Sequence, residues 1–205
     1  MSIDELVCCL KRADLETGFG YEIPQGAFSG LELEFLFGLP QYFLPRPLAE
    51  HDPGYKQIIP YQLFRCQDRF FVYQRGDGVG EGRLAGRLSL GIGGHINSED
   101  AVNGRLTGET YHGALFRERE EELICRDAVV THFIGWINDD SDPVGQVHLG
   151  AVHLCEAVDE SAIHIREQGE DIHERGWWSA EEILAQGVRF EKWSILSVKL
   201  ARNHG

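Results

Sequence analysis

The stretch that decides the reading is Gly108-Glu109-Thr110-Tyr111-His112-Gly113-Ala114-Leu115-Phe116-Arg117-Glu118-Arg119-Glu120-Glu121-Glu122-Leu123. Four glutamates fall within positions 118–122. The pattern predicts a helix opened by Thr107–Glu109 and running to about Ile124. At about 100° per residue, Glu118, Glu121 and Glu122 share one arc of about 100°, with Tyr111, Ala114, Leu115 and Cys125 on or beside it. Glu120 points roughly the other way. A generic acidic run is a solvated face. Here the carboxylates continue an apolar stripe, and like charges four positions apart repel by a few tenths of a kcal/mol even when exposed. A divalent cation would remove that conflict, and hard oxygen ligands select Mg²⁺ or Mn²⁺ over zinc.

Upstream lies a glycine-rich segment, 76–94, ending in Gly91-Ile92-Gly93-Gly94-His95-Ile96. It lacks the third glycine of a dinucleotide fingerprint. No Gly-Lys-Ser/Thr follows, and no GxSxG elbow occurs, so the commoner phosphate and nucleophile loops are excluded.

Further out, Ile58 to Phe64 and Arg69 to Gln74 read as paired strands around a Cys66–Asp68 turn. Ala128–Ile137 and Val144–Ala157 read as strands rich in β-branched and aromatic residues. Asp159–Arg175 is polar and reads as a loop. Ser179 caps a helix with Glu182 as its capping-box partner and Gly187 as its stop. Phe190 to Ala201 reads as a last helix. Near the start, 3–15 reads as a short helix. Residues 40–53 hold four of the seven prolines and read as an irregular connector, with a soft boundary near Lys56.

The chain has 205 residues, enough to bury a core unaided. Against 33 acids stand only 19 bases, a net charge of −14. Such a chain repels nucleic-acid polymers and anionic membranes, and a phosphate substrate would need a cation between itself and the protein. The five cysteines form no CxxC pair, so neither a disulfide framework nor a cysteine zinc site is expected. The four tryptophans read as core residues. Acids precede the first short apolar run, the wrong order for a signal peptide, and no stretch is long enough to span a membrane. A soluble, cytoplasmic protein is the expectation.

Gly93-Gly94, Gly108-Glu109 and Arg117-Glu118-x-x-Glu121-Glu122 resemble the Nudix box, GX5EX7REUXEEXGU with U a bulky aliphatic residue. Lys56-Gln57-Ile58-Ile59-Pro60-Tyr61, Arg83-Leu84 and Ser89-Leu90-Gly91-Ile92-Gly93-Gly94-His95-Ile96-Asn97 resemble a bacterial subgroup of that family. Trp177-Trp178-Ser179-Ala180-Glu181-Glu182-Ile183 resembles its late strand and helix. The resemblance covers about residues 56–200. It implies a Nudix-like α/β/α sandwich with a mixed sheet over 56–205, and an N-terminal extension over 1–55.

Three departures stand out. Gly94 and Glu109 are 15 positions apart where the pattern has six, an insertion of about nine residues near 98–106. Arg119 replaces the aliphatic residue, and Ile124 replaces the glycine after the helix.

By position, the resemblance implies hydrolysis of a diphosphate linkage in a small molecule with Mg²⁺ or Mn²⁺. Glu118, Glu121 and Glu122 become metal ligands, joined by a glycine carbonyl from Gly93 or Gly94. Arg117 pairs with Glu109 and fixes the loop to the helix. Gly94 and His95 face the substrate phosphates. The general base is a box glutamate such as Glu121 or a later loop acid among Glu167, Glu170, Asp171 and Glu174, with Glu170 preferred from its distance before Trp177. His148 and His153, five apart in a strand, face opposite sides and cannot form one metal pair. A homodimer is the base-rate expectation. Two other readings compete: a non-catalytic nucleotide-sensing module, and an isoprenoid diphosphate isomerase. The intact box acids and the absence of a cysteine near the glycine pair weigh against them.

Overall fold

In the computed structural model, residues 5–76, 86–126, 129–166 and 172–204 are described. The chain begins with β1 (Leu6–Lys11), α1 (Arg12–Phe19), β2 (Gly26–Phe28), α2 (Phe35–Gly38), β3 (Gln41–Pro45) and α3 (Arg46–Ala49). It continues through β4 (Tyr55–Cys66), β5 (Arg69–Arg75), β6 (Leu88–Ser89), β7 (Gly91–Gly93), α4 (Gly108–Glu122) and β8 (Leu123–Cys125). It ends with β9 (Val130–Asn138), α5 (Pro143–Val147), β10 (His148–Glu156), β11 (Ile163–Ile165), β12 (Ile172–Ser179), α6 (Ala180–Ala185) and α7 (Lys192–Arg202). The class is α/β, a mixed sheet with helices, as the sequence led one to expect.

The chain forms two compact units. The first holds Met1–Tyr61, Gly93–Arg117 and Gly135–Val152; the second holds Gln62–Ile92, Glu118–Ile134 and His153–Gly205. The divisions fall inside β4, β7, α4, β9 and β10, so these elements run from one unit into the other.

In the first unit β1 pairs antiparallel with β3, Cys8 opposite Phe43, and with the start of β4, Cys9 opposite Gln57. β2 pairs with the end of β9, Ala27 opposite Ile137. Val7, Cys9 and Ala49 form a core against which Tyr42, Leu44 and Tyr55 pack. The helix expected over 3–15 is instead a strand followed by a helix that starts at Arg12. Val7 to Leu10 are all at most 1% exposed, so the strand is covered on both faces and shows no alternation. The expected connector over 40–53 contains β3 and α3, with Pro47 in the first turn of α3, where its missing N–H would be unsatisfied anyway.

The strand expected from Val144 starts only at His148. Pro143 and the Asp142 side chain, which accepts from Gly145 N at 2.9 Å, set up α5 before it. A Cβ on Gly145 would lie 1.7 Å from the Asp139 carbonyl oxygen, so this turn accepts only glycine.

In the second unit β5 lies between β12 and the end of β4, with Phe71 opposite Trp177 and Phe70 opposite Arg65. Tyr73 of β5 also faces Ser89 of β6. The expected hairpin is present, and its turn holds Gln67 at φ 55°. Its core includes Phe64, Phe71, Tyr73, Ile92, Leu123, Cys155 and Trp177. The expected loop over 159–175 carries β11, paired antiparallel with β8, and the start of β12. α4 therefore stops at Glu122, because Leu123–Cys125 leave the helix to pair with Ile163–Ile165.

The predicted capping box is present: Ser179 Oγ accepts from Glu182 N at 3.2 Å, and Glu182 Oε2 accepts from Ser179 N at 2.7 Å. α6 ends at Ala185, two positions before the expected stop. All five cysteines are free, four of them buried, and burial pushes Cys8, Cys9 and Cys155 up to about 12. Trp136 and Trp177 are buried core residues. Among the described residues no helix is long and apolar enough to cross a membrane.

Candidate active site

The box residues up to Arg117 belong to the first unit. Gly93 packs against the β4 backbone: a Cβ there would lie 2.4 Å from the Pro60 carbonyl oxygen. The glycine is therefore dictated by a close backbone approach. After it, Asn97 occupies the N-cap position of a 3-10 turn, Ser98–Asp100, and Asp100 Oδ2 accepts from Asn97 N at 2.8 Å.

Arg117 grips that turn. Its Nε and Nη2 donate to the two oxygens of Asp100 at 3.1 and 2.8 Å, and Nη2 also donates to the His95 carbonyl at 3.1 Å. The resemblance pairs Arg117 with Glu109. The structure corrects this: the bidentate partner is Asp100, from the inserted segment, and Glu109 is exposed in the first turn of α4. There its carboxylate meets the positive end of the helix dipole. The expected effect, loop pinned to helix, is kept with a different acid.

His95 meets a partner that the sequence reading did not assign. Its Nε2 lies 3.4 Å from Nε2 of His148, and His148 Nδ1 donates to the Val144 carbonyl at 2.7 Å. With Nδ1 of His148 protonated, its Nε2 accepts, so His95 is the donor of the pair and keeps an open Nδ1 lone pair. Burial, then Arg46 and His148, pushes His95 down to about 3; burial also lowers His148. Both rings are neutral near pH 7. His148 and His153 are both buried along β10.

The acids from Glu118 onward belong to the second unit. Tyr111, Ala114 and Leu115 are buried, Glu118 and Glu122 half-buried, and Glu121 exposed. The stripe thus passes from core into carboxylates, as the helical arc predicts. Arg119 is half-buried at the position where the box has an aliphatic side chain. Oε2 of Glu122 is buried and has no hydrogen-bond partner among the described residues. Burial pushes Glu122 up to about 7; Arg75 pulls it back, and Glu118, Glu121 and Glu191 push it further. Glu191 and Arg75 escaped the sequence reading. Glu191 is 6% exposed, accepts from Arg75 Nε at 2.5 Å and from Ser89 Oγ at 3.1 Å.

Glu174 of β12 lies 3.6 Å from His164 Nδ1. Glu170, with Glu167, Asp171, Arg83 and Leu84, falls outside the described residues. Among the described residues no group of three or more His, Cys, Asp and Glu side chains is arranged to hold a metal ion.

No family model matches the chain. Protein YmaB of Bacillus subtilis (strain 168) is 37% identical over 159 residues, covering 74% of this chain and 74% of that protein. The crystal structure of Tm1382, itself assigned as a Nudix hydrolase, superposes with a TM-score of 0.77 at 27% identity, over 98% of this chain and 100% of that one. The Nudix domain of Shewanella oneidensis NrtR, crystallised with ADP-ribose, gives a TM-score of 0.51 at 12% identity, over 73% of this chain and 88% of that one, a likeness of fold alone. With the box spacing, the pinned glycine turn and the acid-ended helix in place, the chain belongs to the Nudix hydrolase family.

Proposed function

We propose that this protein hydrolyses the diphosphate linkage of a nucleoside diphosphate-linked or related small molecule, using Mg²⁺ or Mn²⁺ held by Glu118, Glu121 and Glu122. The observation that carries the reading is Oε2 of Glu122, a buried carboxylate oxygen without a hydrogen-bond partner among the described residues, beside three further acids. Leaving such a group unsatisfied costs about 1–3 kcal/mol or more. A hard cation satisfies that oxygen and offsets the repulsion, so the donor set fits the ion the family implies. Binding requires the side chains to turn inward, Glu121 from its exposed position. The Gly93 carbonyl is a further candidate ligand.

Once bound, the ion would polarise phosphoryl oxygens and neutralise developing charge. The chain's own residues do the rest. Arg117 and Asp100 hold the glycine turn in place for phosphate. Gly94 and His95 are the proposed substrate contacts, with the open Nδ1 of His95 available to a hydroxyl or protonated phosphate. The proton of the attacking water goes to a carboxylate; Glu170 is the choice from sequence and Glu121 the described candidate.

A panel of diphosphate compounds, ADP-ribose, dinucleotides, sugar nucleotides and nucleoside triphosphates, assayed with Mg²⁺ and then Mn²⁺, tests the reading. Metal-dependent release of a phosphorylated product from one class supports it. Tight metal-dependent binding of a nucleotide without turnover contradicts it and favours a sensing module.

A further inference from the structure

In the second unit the Arg75 guanidinium acts on Glu122 of the α4 acid cluster, pulling its carboxyl down against burial. Arg75 ends β5 and is held from three sides. Its N–H donates to the Arg87 carbonyl at 3.0 Å, its carbonyl accepts from Gly86 N at 2.9 Å, and it lies opposite Ile172 of β12. Its guanidinium carbon sits 5.7 Å from the centroid of the Tyr73 ring, and the Tyr73 hydroxyl donates to the Gly91 carbonyl at 2.6 Å. Nε donates to Glu191, which is fixed in turn by Ser89 Oγ and by its own N–H on the Leu88 carbonyl at 2.9 Å. Among the described residues neither Nη of Arg75 meets an acceptor, and the side chain keeps 33% exposure.

A guanidinium tied at Nε with both Nη groups open is a preset fork for a phosphoryl oxygen. A mere counter-ion to Glu191 and Glu122 needs only charge, which a lysine supplies. We infer that Arg75, aimed by the positioning residue Glu191, is a substrate-phosphate ligand of the acidic centre. The inference rests on the hydrolase reading and deepens it. The substrate must present two anionic phosphoryl groups, one for the metal and one for the guanidinium.

Methylenediphosphonate, a pyrophosphate analogue with a P–C–P bridge that cannot be hydrolysed, serves as the probe. Its binding in Mg²⁺ is titrated calorimetrically against full-length wild type, Arg75→Lys and Arg75→Ala. Mn²⁺ binding without the anion is followed by EPR, and melting curves are recorded for each protein. Loss of a hydrogen bond to a charged group corresponds to about tenfold or more in affinity. The expected result is a weakening of about tenfold or more in Arg75→Ala, a clear weakening in Arg75→Lys, and unchanged Mn²⁺ affinity in Arg75→Lys, which keeps the charge beside Glu122. If Arg75→Ala fails to fold, Arg75→Lys alone decides. Wild-type affinity in Arg75→Lys, parallel loss of Mn²⁺ in that variant, or no diphosphonate binding by wild type overturns the assignment. Failure of the hydrolase reading shows separately, as wild type that turns over no diphosphate compound.

Discussion

Protonating His148 removes the acceptor of its bond with His95, and protonating His95 adds a second charge beside Arg46. Both folded pKa values lie below the ordinary histidine value, His95 at about 3. The unfolded chain therefore takes up protons first as pH falls. Stability from this pair is fully present above about pH 6.5 and declines below it, by at most about 1.4 kcal/mol per pH unit for each ring. Denaturant unfolding between pH 7.5 and 4.5 should show this decline in wild type and a shallower one in a His95→Asn, His148→Asn double variant. Equal slopes in the two proteins would contradict the arrangement. The sequence singled out His95 from its place after the glycine pair. It could not supply His148, which meets His95 only through the fold.

The glycine turn and the helix show how far an element can be read from its own residues. α4 was legible because its apolar and acidic positions repeat at the helical period, and the α6 capping box because Ser179 and Glu182 satisfy each other locally. β1 was not, since a strand covered on both faces carries no alternation. Arg117 was read as the clasp between loop and helix, but its acid was misassigned. The insertion brought in Asp100, and the cue was local: an Asn97 cap with an acid three residues on. Asp100→Ala should cost about 1–3 kcal/mol in unfolding experiments, the range for hydrogen bonds to charged groups. Glu109→Ala should cost under about 1 kcal/mol, the dipole effect of one exposed acid. The reverse order would return the clasp to Glu109.

At the scale of the whole molecule, charge sets the constraints. A chain of net charge −14 keeps one lysine fully buried, Lys56, bonded to Asp140 at 2.6 Å and to the carbonyls of Gly145 and His148 at 2.7 and 3.2 Å. Asp140 also takes Arg12 through both oxygens at 3.1 Å, joining the start of α1 to β4 and the segment before β10 within the first unit. Removing Asp140 strands a buried ammonium and leaves Arg12 only the Pro53 and Gln146 carbonyls. Asp140→Ala should therefore cost about 3 kcal/mol or more in denaturant unfolding, and Lys56→Met less. A cost below about 1 kcal/mol would show that the cluster does not hold this unit together.

The same excess of acid explains why a diphosphate needs a cation here, and Glu122 is where that need is sharpest. Turnover of the best compound from the diphosphate panel, measured with saturating Mg²⁺ in wild type and Glu122→Gln, tests this most directly. The account predicts that Glu122→Gln stays folded, its melting temperature equal or higher because a buried carboxylate is gone, while turnover falls by about a hundredfold or more, the scale of removing a charge-stabilising group from a reacting centre. Wild-type turnover in Glu122→Gln would contradict it.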